Sequence, residues 1–265
     1  MARKSSTRQT RQPRLTRSEK LQQERLAVDN TQIVQMPSQM PRFDPANQNQ
    51  KRAKALVDIG TQVVLLQGSA GTGKSLIAAW RAATLLKTKQ IDKVFLVRPA
   101  VGVGKSIGLL PGTELEKLMP FFAQTIAHIE KFLGVGFTKY CLEKDIISLK
   151  AVEYLRGYSF SNCLVICEES QGFTHSEFEM LLTRLEESAQ LICTGDTKQN
   201  DLKVPSGLKT TTDLINRMVD DKPDYLDDDD LDALSSSFGI VNFTPDDVIR
   251  GGLTKALVKT YFYNT

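Results

Sequence analysis

The sequence predicts an α/β domain, a mainly parallel β-sheet flanked by helices on both faces. Three observations point there. Gly68-Ser-Ala-Gly-Thr-Gly-Lys-Ser75 fits the phosphate-binding P-loop pattern G-x-x-x-x-G-K-[S/T]. It lies between an apolar run, Val63-Val-Leu-Leu66, that reads as a buried strand, and Leu76 to Leu86, whose apolar residues recur at helical spacing. Downstream, further short apolar runs alternate with helical patterns, and two of them end in acidic residues.

Bulk properties bound the alternatives. The chain has 265 residues, 25% of them charged and 41% hydrophobic, which suits one large soluble domain or a domain with appendages. No apolar run approaches bilayer-spanning length and no secretory segment opens the chain, so a cytoplasmic setting without a membrane is expected. Cys141, Cys163, Cys167 and Cys193 read as small core residues in a reducing compartment; Cys163 and Cys167, four positions apart on one strand without nearby histidines, are a poor zinc signal. Net charge is only +3 but unevenly spread, with Arg3 to Arg25 basic and Asp220 to Asp232 acidic.

Residues 1–45, rich in Arg, Ser, Thr, Gln and Pro, read as a disordered basic arm. Such an arm suits either a loose hold on nucleic-acid phosphates or a solubilising tail. Its Arg- and Ser-rich start also resembles an organelle transit peptide, though it lacks an amphipathic apolar face. From residue 46 a single domain is expected to run to residue 265. Asn47 to Val57 is a short helix leading to the P-loop strand, and a glutamine there can both donate to and accept from an adenine edge.

The P-loop's chemistry follows from its residues. Gly68, Gly71 and Gly73 let the backbone turn so that the amides of the loop, with Ser69, Ala70 and Thr72, face one concave nest. The helix that follows adds its positive end. Lys74 can reach the β- and γ-phosphates, and the Ser75 hydroxyl can ligate Mg²⁺. A glycine turn that binds nothing is the bland alternative, and the strand–loop–helix context weighs against it.

The remaining elements follow in order. Lys93 to Val97 is a strand that opens into Arg98-Pro-Ala-Val-Gly-Val-Gly104, and a glycine-containing loop, Lys105 to Gly112, comes next. A helix spans about 114–133, and Ile146 to Leu149 is a short strand. Ser161 to Cys167 is a strand followed at once by Glu168 and Glu169, one carboxylate for the metal and one to polarise the attacking water. His175 to Glu187 is a helix with Thr174 as its N-cap. Gln190 to Cys193 is a strand ending in Thr194-Gly-Asp196, where Asp196 and Gln199 can sense the γ-phosphate, an Asx turn being the plainer alternative. Pro205 leads into a helix through Met218, and about 220–237 is an acidic surface insertion, a solvated loop in preference to a metal site. Ile240 to Phe243 is a late strand, and Pro245 to Tyr263 a helical closing segment that includes Arg250. Trp80 belongs to the core, and His128 and His175, in no ligand or triad spacing, fit surface or packing roles.

Taken together, these motifs resemble the PhoH family of P-loop ATPases, related to superfamily 1 helicases and common in bacteria and phages. The likeness runs from about Asn49 to Phe262. It rests on Asn49-Gln-Lys-Arg52, the P-loop, Arg98-Pro-Ala-Val101, Gly108-Leu-Leu-Pro-Gly112, Glu168-Glu-Ser-Gln171, Leu182-Thr-Arg184, Thr194-Gly-Asp-Thr-Lys-Gln199, Ser206-Gly-Leu208 and Asp247-Val-Ile-Arg250. The resemblance implies a RecA-like fold and ATP hydrolysis with Mg²⁺, coupled to RNA or single-stranded DNA, with a homo-oligomer that is commonly a hexameric ring. It implies Gln50 as adenine reader with Gln48 as fallback. Lys74 and Ser75 would hold phosphate and metal, Glu168 would be the metal-side carboxylate and Glu169 the base. Gln171, Asp196 and Gln199 would be γ-phosphate sensors. Arg184 or Arg250 would stabilise transition-state charge, Arg250 preferred and supplied from a neighbouring subunit. A nucleotide-dependent switch that binds a protein partner, or a P-loop kinase, are the alternatives. The chain departs from the family in having Glu168 where Asp is usual, Lys105 where an acid is usual, and a longer acidic insertion.

Overall fold

The computed structural model describes residues 36–99, 114–199, 202 and 204–264. The first 35 residues of the expected basic arm, and the expected loop from Lys105 to Gly112, lie outside the described residues.

Six strands form one sheet in which every neighbouring pair is parallel. They are β1 (Val63–Gly68), β2 (Lys93–Arg98), β3 (Ile147–Ala151), β4 (Cys163–Cys167), β5 (Gln190–Gly195) and β6 (Phe238–Phe243), in the order β3-β2-β4-β5-β1-β6. The central strands are apolar along their whole length because both faces are covered. Val64, Leu66, Leu96, Ile166 and Ile192 point to one side, where α1 (Gln48–Ile59), α2 (Lys74–Lys87), α3 (Glu114–Leu133) and α4 (Val135–Glu143) pack. Val63, Leu65, Val97, Val165 and Cys193 point to the other, covered by α5 (His175–Leu182) and α6 (Gly207–Asp221). The expected layering is thus observed, and all four cysteines are buried and unbridged.

The strand order positions the site. β5 lies between β1 and β4, with Gln67 opposite Gly195 and Cys167 opposite Cys193. Gly68, Glu168 and Asp196 therefore leave the sheet side by side at its carboxyl edge, where ligands of open parallel sheets bind.

Several boundaries differ from expectation. The arm does not reach residue 45. Phe43 is buried with its ring 5.8 Å from that of Trp80, and Met36 and Met40 pack on the same core. Met36, Met40 and Phe43 fall at a helical spacing, but Pro37, Pro41 and Pro45 interrupt the stretch, so the sequence reads as an unstructured arm. The acidic run is not a loop throughout, since Asp228–Ser237 forms a helix, α7. Asp227 caps it by accepting from Asp230 N at 2.8 Å. Four consecutive acids, Asp227 to Asp230, then sit at the positive end of a helix dipole, where negative charge is stabilising. α5 stops at Leu182, five residues early, although Thr174 caps it as expected, in a capping box with Glu177. α4 was not anticipated; Gly134, at φ +76°, separates it from α3. The closing segment is a short 3₁₀ turn, Pro245–Asp247, then a break, then α8 (Gly252–Asn264). No described helix is long and apolar enough to cross a membrane.

Candidate active site

A cavity of about 310 Å³ opens at the carboxyl edge, walled by the P-loop, by the tips of β4 and β5, by α3 and by the closing segment. The loop is built as its glycines require. Gly73 sits at φ +92°, and a Cβ there would lie 2.6 Å from the Gln50 amide nitrogen. α2 begins at Lys74 with no side-chain cap and no acid in its first turn, so its leading amides and the positive end of its dipole are left for an anion. Lys74 Nζ curls back over the loop, donating to the carbonyls of Gly68 at 2.5 Å and Ser69 at 2.8 Å. Burial pulls its pKa down to about 8, against the opposing pull of Asp196 and Glu169.

Glu168 and Glu169 leave β4 into different surroundings. Glu168 is buried. Arg98 donates to its Oε2 from Nη2 at 3.2 Å and Nε at 3.3 Å, and the Thr125 hydroxyl donates to Oε1. Burial pushes this carboxyl up, Thr125 and Arg98 pull it down, and Glu169 adds to the push. Glu169 is half exposed and held in the left-handed region at φ +50°, a conformation non-glycine residues seldom adopt and which tends to accumulate at functional sites. Gln171 fixes it from behind, donating to Glu169 Oε2 at 2.8 Å while its own Oε1 accepts from Asp196 N at 3.1 Å. Gln171 therefore links the tips of β4 and β5 and does not line the cavity, whereas Asp196, Gln199 and Ser75 do. Gln171, expected to face the γ-phosphate, is instead engaged with Glu169 and Asp196.

Two further expectations are corrected. Gln50 is buried, and its amide is used within the chain: Nε2 donates to Thr72 O at 2.8 Å and Oε1 accepts from Ala46 N at 2.8 Å. As arranged it braces the P-loop and has no free edge for adenine; Gln48 is exposed on the first turn of α1 and does not line the cavity. Arg250 is not remote from its own P-loop. Ile249 N donates to Gly71 O at 3.1 Å, and a Cβ on Gly71 would lie 3.3 Å from Arg250 Cδ. Arg250 therefore lies over the P-loop of its own chain, not away from it as expected. Arg184 is elsewhere: its carbonyl accepts from Phe160 N just before β4 begins, at the opposite edge of the sheet.

The cavity also uses residues that sequence reasoning passed over: Arg98, Gln124 and His128, with Thr125 behind them. Arg98 had a legible signal, a cation at a strand's carboxyl end. Gln124, Thr125 and His128 had none, since they lie on a helix whose register against the P-loop is a tertiary matter. The family motifs at either end of the domain prove to be joined: Asn49 Nδ2 donates to Asp247 Oδ2 at 2.8 Å and Asn47 Nδ2 to Asp247 O at 3.1 Å.

The residues fit a metal–nucleotide complex. The loop amides and Lys74 suit a polyphosphate. Ser75 and Glu168 are a sufficient protein share for Mg²⁺, which takes one or two protein groups and fills its octahedron with water and phosphate. Glu168 Oε1 accepts only from Thr125 and keeps a lone pair for a metal, whereas Oε2 already accepts twice from Arg98.

An all-parallel sheet with this nest at the tip of β1, and carboxylates at the tips of β4 and of β5, the strand that lies between β4 and β1, defines a RecA-like P-loop NTPase. The family model described as PhoH-like protein matches residues 42–262. The chain belongs to the PhoH family. It is 33% identical to Protein PhoH of Escherichia coli K12 over 204 residues, 76% of this chain and 53% of the relative. It is 32% identical to the PhoH-like protein of Bacillus subtilis 168, covering 73% and 56%, and 31% identical to that of Mycobacterium tuberculosis H37Rv, covering 82% and 57%. The chain thus spans a little over half the length of these relatives. Among solved structures, the Sulfolobus solfataricus SWI2/SNF2 ATPase core in complex with dsDNA superposes with a TM-score of 0.44 at 14% identity, over 78% of this chain and 46% of that one. The superposition is too partial to carry more than the observation itself.

Proposed function

We propose that this chain hydrolyses ATP with Mg²⁺ and couples the cycle to RNA or single-stranded DNA. The observation that carries the reading is the half-exposed Glu169, braced by Gln171 and lining the same cavity as Lys74 and Ser75. Bound Mg²⁺, held by Ser75 and Glu168, would neutralise charge on the phosphate oxygens. Lys74 and the loop amides grip the β- and γ-phosphates. Glu169 takes a proton from the water that attacks the γ-phosphorus, the bond to the β–γ bridging oxygen breaks, and ADP leaves with that oxygen. Arg250, over Gly71, offsets charge that develops on the leaving side, with no neighbouring subunit required. Asp196 and Gln199 are candidates to register loss of the γ-phosphate.

The polymer, the hexameric ring and the cytoplasmic setting of a bacterium or phage-infected cell come to the proposal from the family resemblance. The seat of Arg250 removes one reason for the ring, since the site holds an arginine of its own. The test is the rate of phosphate release from ATP, with and without RNA and single-stranded DNA, at several salt concentrations. Stimulation by one polymer that fades as salt rises is expected. Equal rates throughout would leave an ATP hydrolase without a polymer.

A further inference from the structure

The proposed nucleotide site has a direction. Glu168, Glu169 and Asp196 line the cavity with Lys74, whose ammonium feels the charges of Asp196 and Glu169, so the terminal phosphate belongs beside them to meet water and the base. The nucleoside then lies past the start of α2, against the wall to which Leu76, His128 and Ile249 contribute, Ile249 Cδ1 lying 3.8 Å from where a Cβ on Gly73 would be. His128 stands one helical turn beyond Gln124 and Thr125 on α3, the Thr125 hydroxyl meeting Glu168 and His128 lying further along the helix. With the Gln50 amide engaged by Thr72 and Ala46, that wall needs another polar group to recognise a sugar or base.

His128 is suited to it. Its Nδ1 is buried with no hydrogen-bond partner among the described residues, so the edge it offers the cavity is the other one, which carries Nε2. Burial, then the charges of Lys131 and Arg250, holds its pKa below the ordinary histidine value, so the ring is neutral at pH 7. A neutral imidazole beside Leu76 and Ile249 offers one directional hydrogen bond in an otherwise apolar patch, the usual composition of a nucleoside pocket.

We propose that His128 binds the nucleoside end of the nucleotide through its cavity-facing nitrogen and so contributes to nucleotide affinity independently of the phosphates. The inference rests on the ATP-site reading above, and the experiment separates the two. Calorimetric titration of the full chain with ADP and with inorganic tripolyphosphate, which has no nucleoside, compares the wild type with His128→Ala and His128→Gln. The wild type should bind both ligands. His128→Ala should weaken ADP roughly five-fold, the worth of one hydrogen bond, and leave tripolyphosphate within about two-fold. His128→Gln, which keeps a donor, should recover most of the ADP affinity. Unchanged ADP affinity in His128→Ala, or an equal loss for both ligands, would overturn the assignment while leaving the phosphate site standing. A wild type that binds neither ligand would remove the site reading and this inference with it.

Discussion

The cavity has two walls of different construction. The carboxylate wall, Glu168, Glu169 and Asp196, is made of residues at the tips of adjacent strands, fixed by a ladder of backbone hydrogen bonds and braced by Gln171. The covering wall, Gln124, His128, Ile249 and Arg250, comes from α3 and from a closing segment far downstream of the P-loop, which is held there by the backbone bond from Ile249 to Gly71 and by the bonds of Asn47 and Asn49 to Asp247. The first wall is chemistry set by local sequence; the second is chemistry delivered by packing. A reader of the sequence can therefore find the residues of the carboxylate wall more readily than those of the covering wall.

The largest effect should come from the carboxylate wall. Glu169→Gln is expected to slow ATP turnover about a thousandfold while nucleotide affinity stays near that of the wild type, as for loss of a general base. Steady-state rates beside a binding titration check it, and an unchanged rate would place the base elsewhere. From the covering wall, Arg250→Ala should cost about a hundredfold in kcat. Because Arg250 lies over the P-loop of its own chain, mixing Arg250→Ala with Lys74→Ala protein should restore nothing; recovered activity in the mixture would return the arginine to a neighbouring subunit.

Smaller effects sharpen the contrast. Gln50→Ala should lower stability by about 1–3 kcal/mol, since it strands the buried Thr72 carbonyl and unpairs the part-buried Ala46 amide, and denaturant unfolding reads this directly. A changed preference for adenine at unchanged stability would instead return Gln50 to the base. Lys74 gives a pH signature. Its ammonium loses a proton near pH 8 in the ligand-free chain, and only the charged form favours phosphate. Nucleotide affinity should be flat below that pH and fall above it, by no more than about tenfold per unit.

How far the sequence reached follows the same division. The sheet, its burial on both faces and its central elements were legible because strands covered on both sides are uniformly apolar and the helices carry their own period. Glu168, Glu169, Asp196 and the P-loop were legible because their spacing relative to strands is itself the motif. The seat of Arg250 was not, because nothing local records that Asp247 is tied to Asn47 and Asn49 at the start of α1. Nor was the engagement of Gln50, whose partners are backbone groups of Ala46 and Thr72, or the reach of Phe43 to Trp80. The helix in the acidic run was hidden because a block of like charge reads as a solvated loop, whereas four acids gathered at a helix start are favoured there.

The most direct measurement is release of inorganic phosphate from ATP by the full chain with Mg²⁺, wild type beside Lys74→Ala. The account predicts steady turnover in the wild type and a rate at background in the variant, with nucleotide binding weakened in parallel. Equal turnover by the two proteins would contradict it.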